Sequence, residues 1–334
     1  MTIKDFEKYF LGRAFTDVGD IQIVHDDNFK WLPNETVDLI LTDPPFNIAR
    51  DTNFHTWEKN TINSYRFDQD KGWDSYTPRD FRELLSLWSK EFFRVLRPGG
   101  TFAVFCADEY VSDLISSLRD AGLKPRRTIT WRKPNAVPVN RKHMMMSACE
   151  YIVMGVKGSK STFNVDIMLD DFAALTSLEI IAIADKAAAV MELEIRRALS
   201  EQSKRLKPKE IEGFVKSIVE SSSKTIASRA INIYNNEGTL AELCVPNYVL
   251  FNSKSGNRLH PTEKPVNLLR YLTELFSEPG AIILDPFAGS ASTGEAALLS
   301  GRKALLVERE KEFFDKGSVR MESLVNKDSY TLFD

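Results

Sequence analysis

Cysteine and histidine are scarce in this 334-residue chain, with three of the first and four of the second. Cys106, Cys149 and Cys244 lie far apart and none stands in a C-x-x-C spacing, so neither a zinc site nor a dithiol redox centre is expected. Long apolar runs are missing too. None approaches the ~18 residues that cross a bilayer, and the opening Met1-Thr-Ile-Lys-Asp-Phe-Glu-Lys8 is charged rather than signal-like. No membrane partner is expected, and a cytoplasmic location is. There is no excess of charge of one sign: at a net charge of −3, any nucleic-acid contact needs a local basic surface rather than a cationic coat. Hydrophobic content of 43% and charged content of 27% leave an ordinary globular composition, able to fill a large core.

The most informative segment is Leu39-Ile-Leu-Thr-Asp-Pro-Pro-Phe46, an apolar run that delivers an acid, two prolines and an aromatic to one place. Proline fixes φ and removes backbone donors, so this corner offers acceptors in a stiff arrangement. The Asp43 carboxylate and the carbonyl before the Pro44-Pro45 step can accept both hydrogens of an exocyclic amine, while Phe46 offers a face for a planar base. The same residues also suit an ordinary strand-ending turn.

The surrounding pattern alternates strand and helix. Strands are expected at 21–24, 37–42, 101–106, 128–131 and 149–154. Helices are expected at 78–96 and 109–120, the first stopped by the breaker Arg97-Pro-Gly-Gly100. After 245 the alternation resumes with a helix over 265–276, a strand over 281–284, a helix over 293–299 and a strand over 303–307. This predicts an α/β fold, Rossmann-like, with a mainly parallel mixed sheet and helices on both faces. Between the two parts the chain is rich in Ala, Leu, Ile, Glu and Lys, and 187–206 has a strongly helical composition. The expected division is therefore 1–160, a helical insertion over 161–245, and 246–334. The polar stretch 48–76, with Trp57, Tyr65 and Trp73, has the length of a loop over the site.

A second constellation, Asp285-Pro-Phe-Ala-Gly-Ser-Ala-Ser-Thr-Gly294, follows a strand and opens a helix. Small residues there let the backbone approach a ligand, and Glu308, about 20 residues on, stands where an acid binds ribose hydroxyls. A dinucleotide would fit that spacing. G-x-G-x-x-G is absent, however, and Asp285 would repel a pyrophosphate, so a cationic or zwitterionic ligand such as S-adenosylmethionine suits the turn better.

Asp43-Pro-Pro-Phe46, His260-Pro-Thr-Glu-Lys-Pro265 and Asp285-Pro-Phe-Ala-Gly-Ser290, in that order, resemble the β-class DNA amino-methyltransferases, in which the catalytic motif precedes the cofactor motif. The resemblance spans 20–158 and 246–315. It includes Arg94-Val-Leu-Arg-Pro-Gly-Gly100 and Trp131-Arg-Lys-Pro-Asn135, which look like the family's central strand and target-side elements. It implies S-adenosylmethionine as cofactor and transfer to adenine N6 in duplex DNA by base flipping, as in restriction-modification systems. Cytosine-N4 enzymes of the family usually carry Ser where Asp43 stands; that activity, and a catalytically weak DNA-binding regulator, are the alternatives. The resemblance makes Asp43, Pro44, Pro45 and Phe46 the catalytic corner. It assigns Phe287, Ala288, Gly289 and Ser290 to the cofactor pocket, Asp285 to the methionine end and Glu308 to the ribose. His260, Thr262 and Lys264 would lie against the methionine moiety. Asp26 falls where the family often has an acid near the cofactor's adenine, and it would serve equally as a helix N-cap. Two departures stand out: Phe46 replaces the usual Tyr, and Ala291 replaces a glycine, which predicts weaker or displaced cofactor binding.

Duplex DNA is the expected partner, with phosphate contacts from Arg126, Arg132, Lys133, Arg141 and Lys142 and a second basic group at Lys204-Arg205-Leu-Lys-Pro-Lys209. The insertion would serve target recognition or dimerisation. A homodimer, a cognate restriction endonuclease and a nucleoid-associated, prokaryotic or phage-type setting complete what the resemblance implies.

Overall fold

A computed structural model describes residues 2–47, 76–134, 148–164, 247–254, 259–260 and 262–331. The chain divides into two compact units, 1–164 with 247–334 and 165–246. The second unit lies outside the described residues, as do Arg141, Lys142, the group at 204–209 and nearly all of the polar stretch 48–76.

The described sheet has nine strands: β1 (Phe15–Val18), β2 (Ile21–His25), β3 (Val37–Thr42), β4 (Leu96–Cys106), β5 (Lys124–Arg132), β6 (Cys149–Val156), β7 (Tyr248–Leu250), β8 (Ile282–Asp285) and β9 (Lys303–Glu308). Their order is β1-β2-β9-β8-β3-β4-β6-β5-β7. From β2 to β4 every pairing is parallel, whereas β1 and β6 run antiparallel to their neighbours. The parallel strands read as near-continuous apolar runs, as strands covered on both faces must.

Five helices are described: α1 (Pro78–Val95), α2 (Val111–Asp120), α3 (Val266–Phe276), α4 (Ser292–Leu299) and α5 (Lys311–Thr331). Alternate residues of each strand face opposite layers. On one face Ile40, Phe102, Val104, Leu284 and Leu305 pack with Phe81, Leu85 and Phe92 of α1 and Leu114 and Leu118 of α2. On the other, Ile21 and Leu306 approach Gly294 of α4 and Met321 of α5 so closely that a Cβ on Gly294 would lie 2.7 Å from Leu306 Cδ1. Helix α1 starts where Thr77 accepts a hydrogen bond from the Asp80 N–H (3.2 Å) with Pro78 in the first turn, a cap that stabilises by about 1 kcal/mol.

Arg97–Gly100 departs from expectation. Helix α1 does stop at Val95, but the chain passes straight into β4, and the four residues form a bulge: Val37 pairs with Leu96 and Leu39 already with Thr101. Gly99 takes φ +85°, and a Cβ on Gly100 would meet Arg97 O at 2.9 Å and Asp38 O at 3.1 Å, so the glycines permit a bulge rather than a turn. Strand β5 is also longer than expected, and β1, β7 and the 3-10 turn Ile3–Tyr9 were not foreseen. Among the described residues no helix is long and apolar enough to cross a membrane.

Candidate active site

The parallel strands all end at one edge of the sheet. There β2 delivers Asp26, β3 Asp43, β4 Cys106, β8 Asp285 and β9 Glu308. Strands β3 and β8 are adjacent, but the helix after β3 covers one face and the helix after β8 the other. The crevice between their ends is thus a topological switch point, where open α/β sheets bind ligands. Strand β6 runs in the opposite sense, so its beginning reaches this edge and brings Glu150. A cavity of about 240 Å³ lies here, just below the ~300–1,000 Å³ usual for small-molecule sites, and it is lined by residues from all three sequence motifs.

On the β3 side, Lys264 Nζ donates to Asp43 Oδ2 at 2.5 Å and lies 3.3 Å from Glu150 Oε2. Lys133 pairs with the other oxygen of Glu150. All four side chains are largely buried, Lys264 at 7% exposure, Asp43 at 19% and Lys133 and Glu150 at 18% each. Asp43 Oδ1 has no hydrogen-bond partner among the described residues. Burial pushes the Asp43 carboxyl up to about 7; Lys264 opposes that shift and the negative charges of Glu150 and Asp285 add to it. Burial also works against ionised Glu150, but the Lys264 and Lys133 ammoniums outweigh it and hold that carboxyl below the usual range. Lys264 lies over the rings of Phe46 and Phe105, 5.0 and 5.3 Å from their centroids.

On the β8 side neutral donors prevail. Asp285, 3% exposed, accepts from Thr42 Oγ1 and Thr293 Oγ1, each at 2.6 Å, and from the Phe287 N–H at 3.1 Å. Burial raises its carboxyl pKa, and these hydrogen bonds oppose the rise. Glu308 accepts from the N–H groups of Gly289 and Glu310, both at 2.7 Å, and burial lifts it to about 7. Gly289 takes φ +52°, and a Cβ there would press on the His260 ring at 3.4 Å. That ring stacks edge-on against Phe313 at 4.2 Å, and burial depresses its pKa to about 4, leaving a neutral imidazole at physiological pH. Phe287 meets Trp88 edge-on at 4.8 Å. Asp26, Asp285, Glu308 and Glu310 with Phe287, Trp88 and Phe313 make an acid-rich, aromatic wall that fits a cationic nucleoside.

The structure therefore brings Asp26, Asp43, Pro44, Pro45, Phe46, His260, Thr262, Lys264, Asp285, Phe287, Ala288, Gly289, Ser290 and Glu308 around one cavity. Asp26 is held by Arg13 and caps the following turn, its Oδ1 accepting from the Asp27 N–H at 2.7 Å. The basic cluster is split. Lys133 and Arg132 stand at the site's edge of β5, with Lys133 committed to Glu150, while exposed Arg126 lies six residues down the strand, roughly 20 Å away at ~3.3 Å per residue.

Ala291 corrects an expectation. It takes the left-handed conformation (φ +61°), but it does not line the cavity; its methyl faces Gly317 of α5, where a Cβ would lie 3.1 Å away. The missing glycine is therefore matched by a glycine on the facing helix, and the methyl is turned away from the cavity. Sequence reasoning missed Glu150, although an acid opening the apolar run Tyr151-Ile-Val-Met154 was a usable signal. It also missed Glu263, whose fully buried side chain accepts from the Leu259 N–H (2.9 Å), Lys254 and Arg320 (2.9 Å) and so anchors the 259–265 segment.

An open, mainly parallel sheet with this crevice at its carboxyl edge defines a Rossmann-like methyltransferase fold. The DNA methylase family matches residues 37–318, and the chain belongs to this family of N6 and N4 amino-methyltransferases, whose methyl donor is S-adenosylmethionine. The DNA adenine methyltransferase YhdJ of Escherichia coli (strain K12) is 26% identical over 306 residues, covering 90% of this chain and 82% of its own length. A provisionally described methylase of the same strain, YubD, is 54% identical over 67 residues, which is 20% of this chain and 30% of that protein. Among solved structures, the M1.HpyAVI–SAM complex matches with a TM-score of 0.52 at 20% identity, over 90% of this chain and 98% of that one. The PvuII DNA methyltransferase (cytosine-N4-specific) matches at 0.54 with 13% identity over 93% of each. At such identities these likenesses concern the fold.

Proposed function

We propose that the chain transfers a methyl group to the N6 amine of adenine in duplex DNA. The observation that carries this reading is Asp43 Oδ1, a buried carboxylate oxygen without a partner among the described residues, on a residue that lines the cavity beside Phe46. A buried acceptor left open costs roughly 1–3 kcal/mol, so its presence points to a ligand donor. Asp43 and the carbonyl before the Pro44-Pro45 step accept the two N–H hydrogens of the amine, which favours a pyramidal nitrogen with its lone pair free. Phe46 stacks on the base, and a base inside a duplex is flipped out at a cost of a few kcal/mol. S-adenosylmethionine supplies the electrophilic methyl group. Asp26, Asp285 and Glu308 shape the acid-rich wall toward it, and Gly289 lets the backbone approach. Catalysis is then chiefly alignment, with the Asp43 charge favouring the positive nitrogen that develops.

Adenine is preferred over cytosine because the acid Asp43 stands where N4 enzymes of this family usually carry Ser, and the long match to an adenine methyltransferase supports the choice. The test is incubation with labelled methyl donor and mixed-sequence duplex DNA, followed by digestion to nucleosides. N6-methyldeoxyadenosine is the expected product; N4-methyldeoxycytidine would replace the adenine reading, and DNA binding without transfer would replace both.

A further inference from the structure

We infer that Lys264 and Glu150 are positioning residues of this transfer site: the ammonium shared between the Asp43 and Glu150 carboxylates turns Asp43 so that one oxygen is neutralised and the other is offered to the amine. The inference rests on the proposed function and extends it to residues that act through Asp43.

The four partners come from four places in the chain. Asp43 follows β3, Lys133 follows β5, Glu150 opens β6 and Lys264 precedes α3. No local turn explains their meeting; the sheet order and the reversed sense of β6 do. A buried lysine without counter-charge would shed its proton, yet burial, which depresses Lys264, is outweighed here by Asp43 and Glu150, and the group is held above the usual lysine range. The sharing is unequal, at 2.5 Å to Asp43 and 3.3 Å to Glu150. The consequence for Asp43 is geometric: Oδ2 is occupied, and Oδ1 has no partner among the described residues. The same ammonium lies over the Phe46 ring, so one group braces both the acceptor and the stacking platform.

A role confined to stability would require only that the charges cancel. Positioning also sets the charge state of Asp43. The groups acting on it are Lys264 from the segment before α3, Glu150 from β6 and Asp285 from β8, and its own charge is felt by the Cys106 thiol of β4. Removing the Glu150 charge removes a repulsion and makes Asp43 easier to ionise; removing the Lys264 charge does the reverse. The two changes must therefore move Asp43 in opposite directions, which general loosening of the fold would not do.

The experiment uses the full chain labelled with carbon-13 at aspartate carboxyls, without DNA, with the Asp43 resonance assigned from Asp43→Asn. The expected wild-type midpoint is about 7. Glu150→Gln should lower it and Lys264→Met raise it, each by about one pH unit or more, as expected for a charge within ~4–6 Å. The pH of half-maximal single-turnover transfer should follow the same opposed shifts, with affinity for S-adenosylmethionine by calorimetry unchanged in Glu150→Gln, which lies outside the cavity lining, and Glu150→Asp returning toward wild type. An unmoved midpoint in Glu150→Gln, or shifts in one direction for both variants, would overturn the inference. If Lys264→Met does not fold, Glu150→Gln decides alone. If the wild type transfers no methyl group to any DNA, the proposed function fails while the titration still decides the pairing.

Discussion

Asp285 and Glu308 on one side of the cavity, and Asp43 and Glu150 on the other, are buried acids at one edge of the same sheet, but hydroxyl and backbone donors hold the first pair and ammonium groups hold the second. Neutral donors fix geometry without a compensating charge: burial raises the pKa of Asp285 and Glu308, as it does that of Asp43, while both oxygens of each of the first two carboxylates are occupied. Such a carboxylate serves as a frame. Ammonium donors add a compensating charge, enough to hold Glu150 low but not to outweigh burial at Asp43, and they leave Asp43 Oδ1 without a partner among the described residues. Glu150 Oε2 also lacks a hydrogen-bond partner among the described residues, but of these two acids Asp43 is the one that lines the cavity, and so the one whose open oxygen a ligand can reach.

The largest effects should separate these two kinds of acid. Asp43→Asn is expected to lower methyl transfer by ~10²–10³-fold or more while the chain keeps its affinity for S-adenosylmethionine. Asp285→Asn should instead lower stability by about 1–3 kcal/mol, because hydroxyl donors arranged for a carboxylate lose an acceptor. Undiminished turnover in the first variant, or an unmoved urea midpoint in the second, would erase the contrast.

A smaller effect lies in the response to pH. Asp43 and Glu308 are raised to about 7, so the folded chain keeps protons that the unfolded chain has already lost. Their contribution to stability is complete below the ordinary carboxylate range of ~4 and is lost as pH rises through about 7. Transfer, which needs ionised Asp43, rises over the same interval. Asp26, Glu150 and Glu263, held low, act below that window. Stability and single-turnover rate should therefore move in opposite senses through neutrality; a parallel rise would contradict the roles given to these acids.

The turn that frames the cofactor side offers one effect on stability and one expected to be the smallest of all. Gly294→Ala places a Cβ 2.7 Å from Leu306 and should cost about 1–3 kcal/mol in urea unfolding. Ala291→Gly relieves a left-handed alanine but vacates the space beside Gly317, so stability should change by less than ~1 kcal/mol and cofactor affinity by nothing measurable. A large gain in affinity would mean that the methyl obstructs the ligand after all.

The contiguous parts of this site were legible in the sequence. Asp43-Pro-Pro-Phe46 and Asp285–Gly294 each put strand, turn and functional groups within one short span, and the apolar runs placed their strands to within a residue or two. What escaped reading was what lies far apart in the chain. Glu150 matters through Lys264, 114 positions on, and only because β6 enters the sheet in reverse. Lys264, expected against the cofactor, lines the cavity and also donates to Asp43, a contact no linear motif encodes. The breaker Arg97–Gly100 became a bulge because the register against β3, not local propensity, decides how four residues are absorbed opposite the single residue Asp38. The direction of the Ala291 methyl depends on the helix that faces it.

The Glu263 anchor ties the base-side corner to a distant part of the chain. Glu263 adjoins Lys264, and Arg320 on α5 grips both Glu263 and Glu295 of α4. The cavity's last described lining residue is Phe313, so a truncation between Phe313 and Arg320 would spare every residue described as lining the cavity. It would nevertheless cut the tether that seats the lysine, and the aim of the acid at the other end of the sequence would go with it.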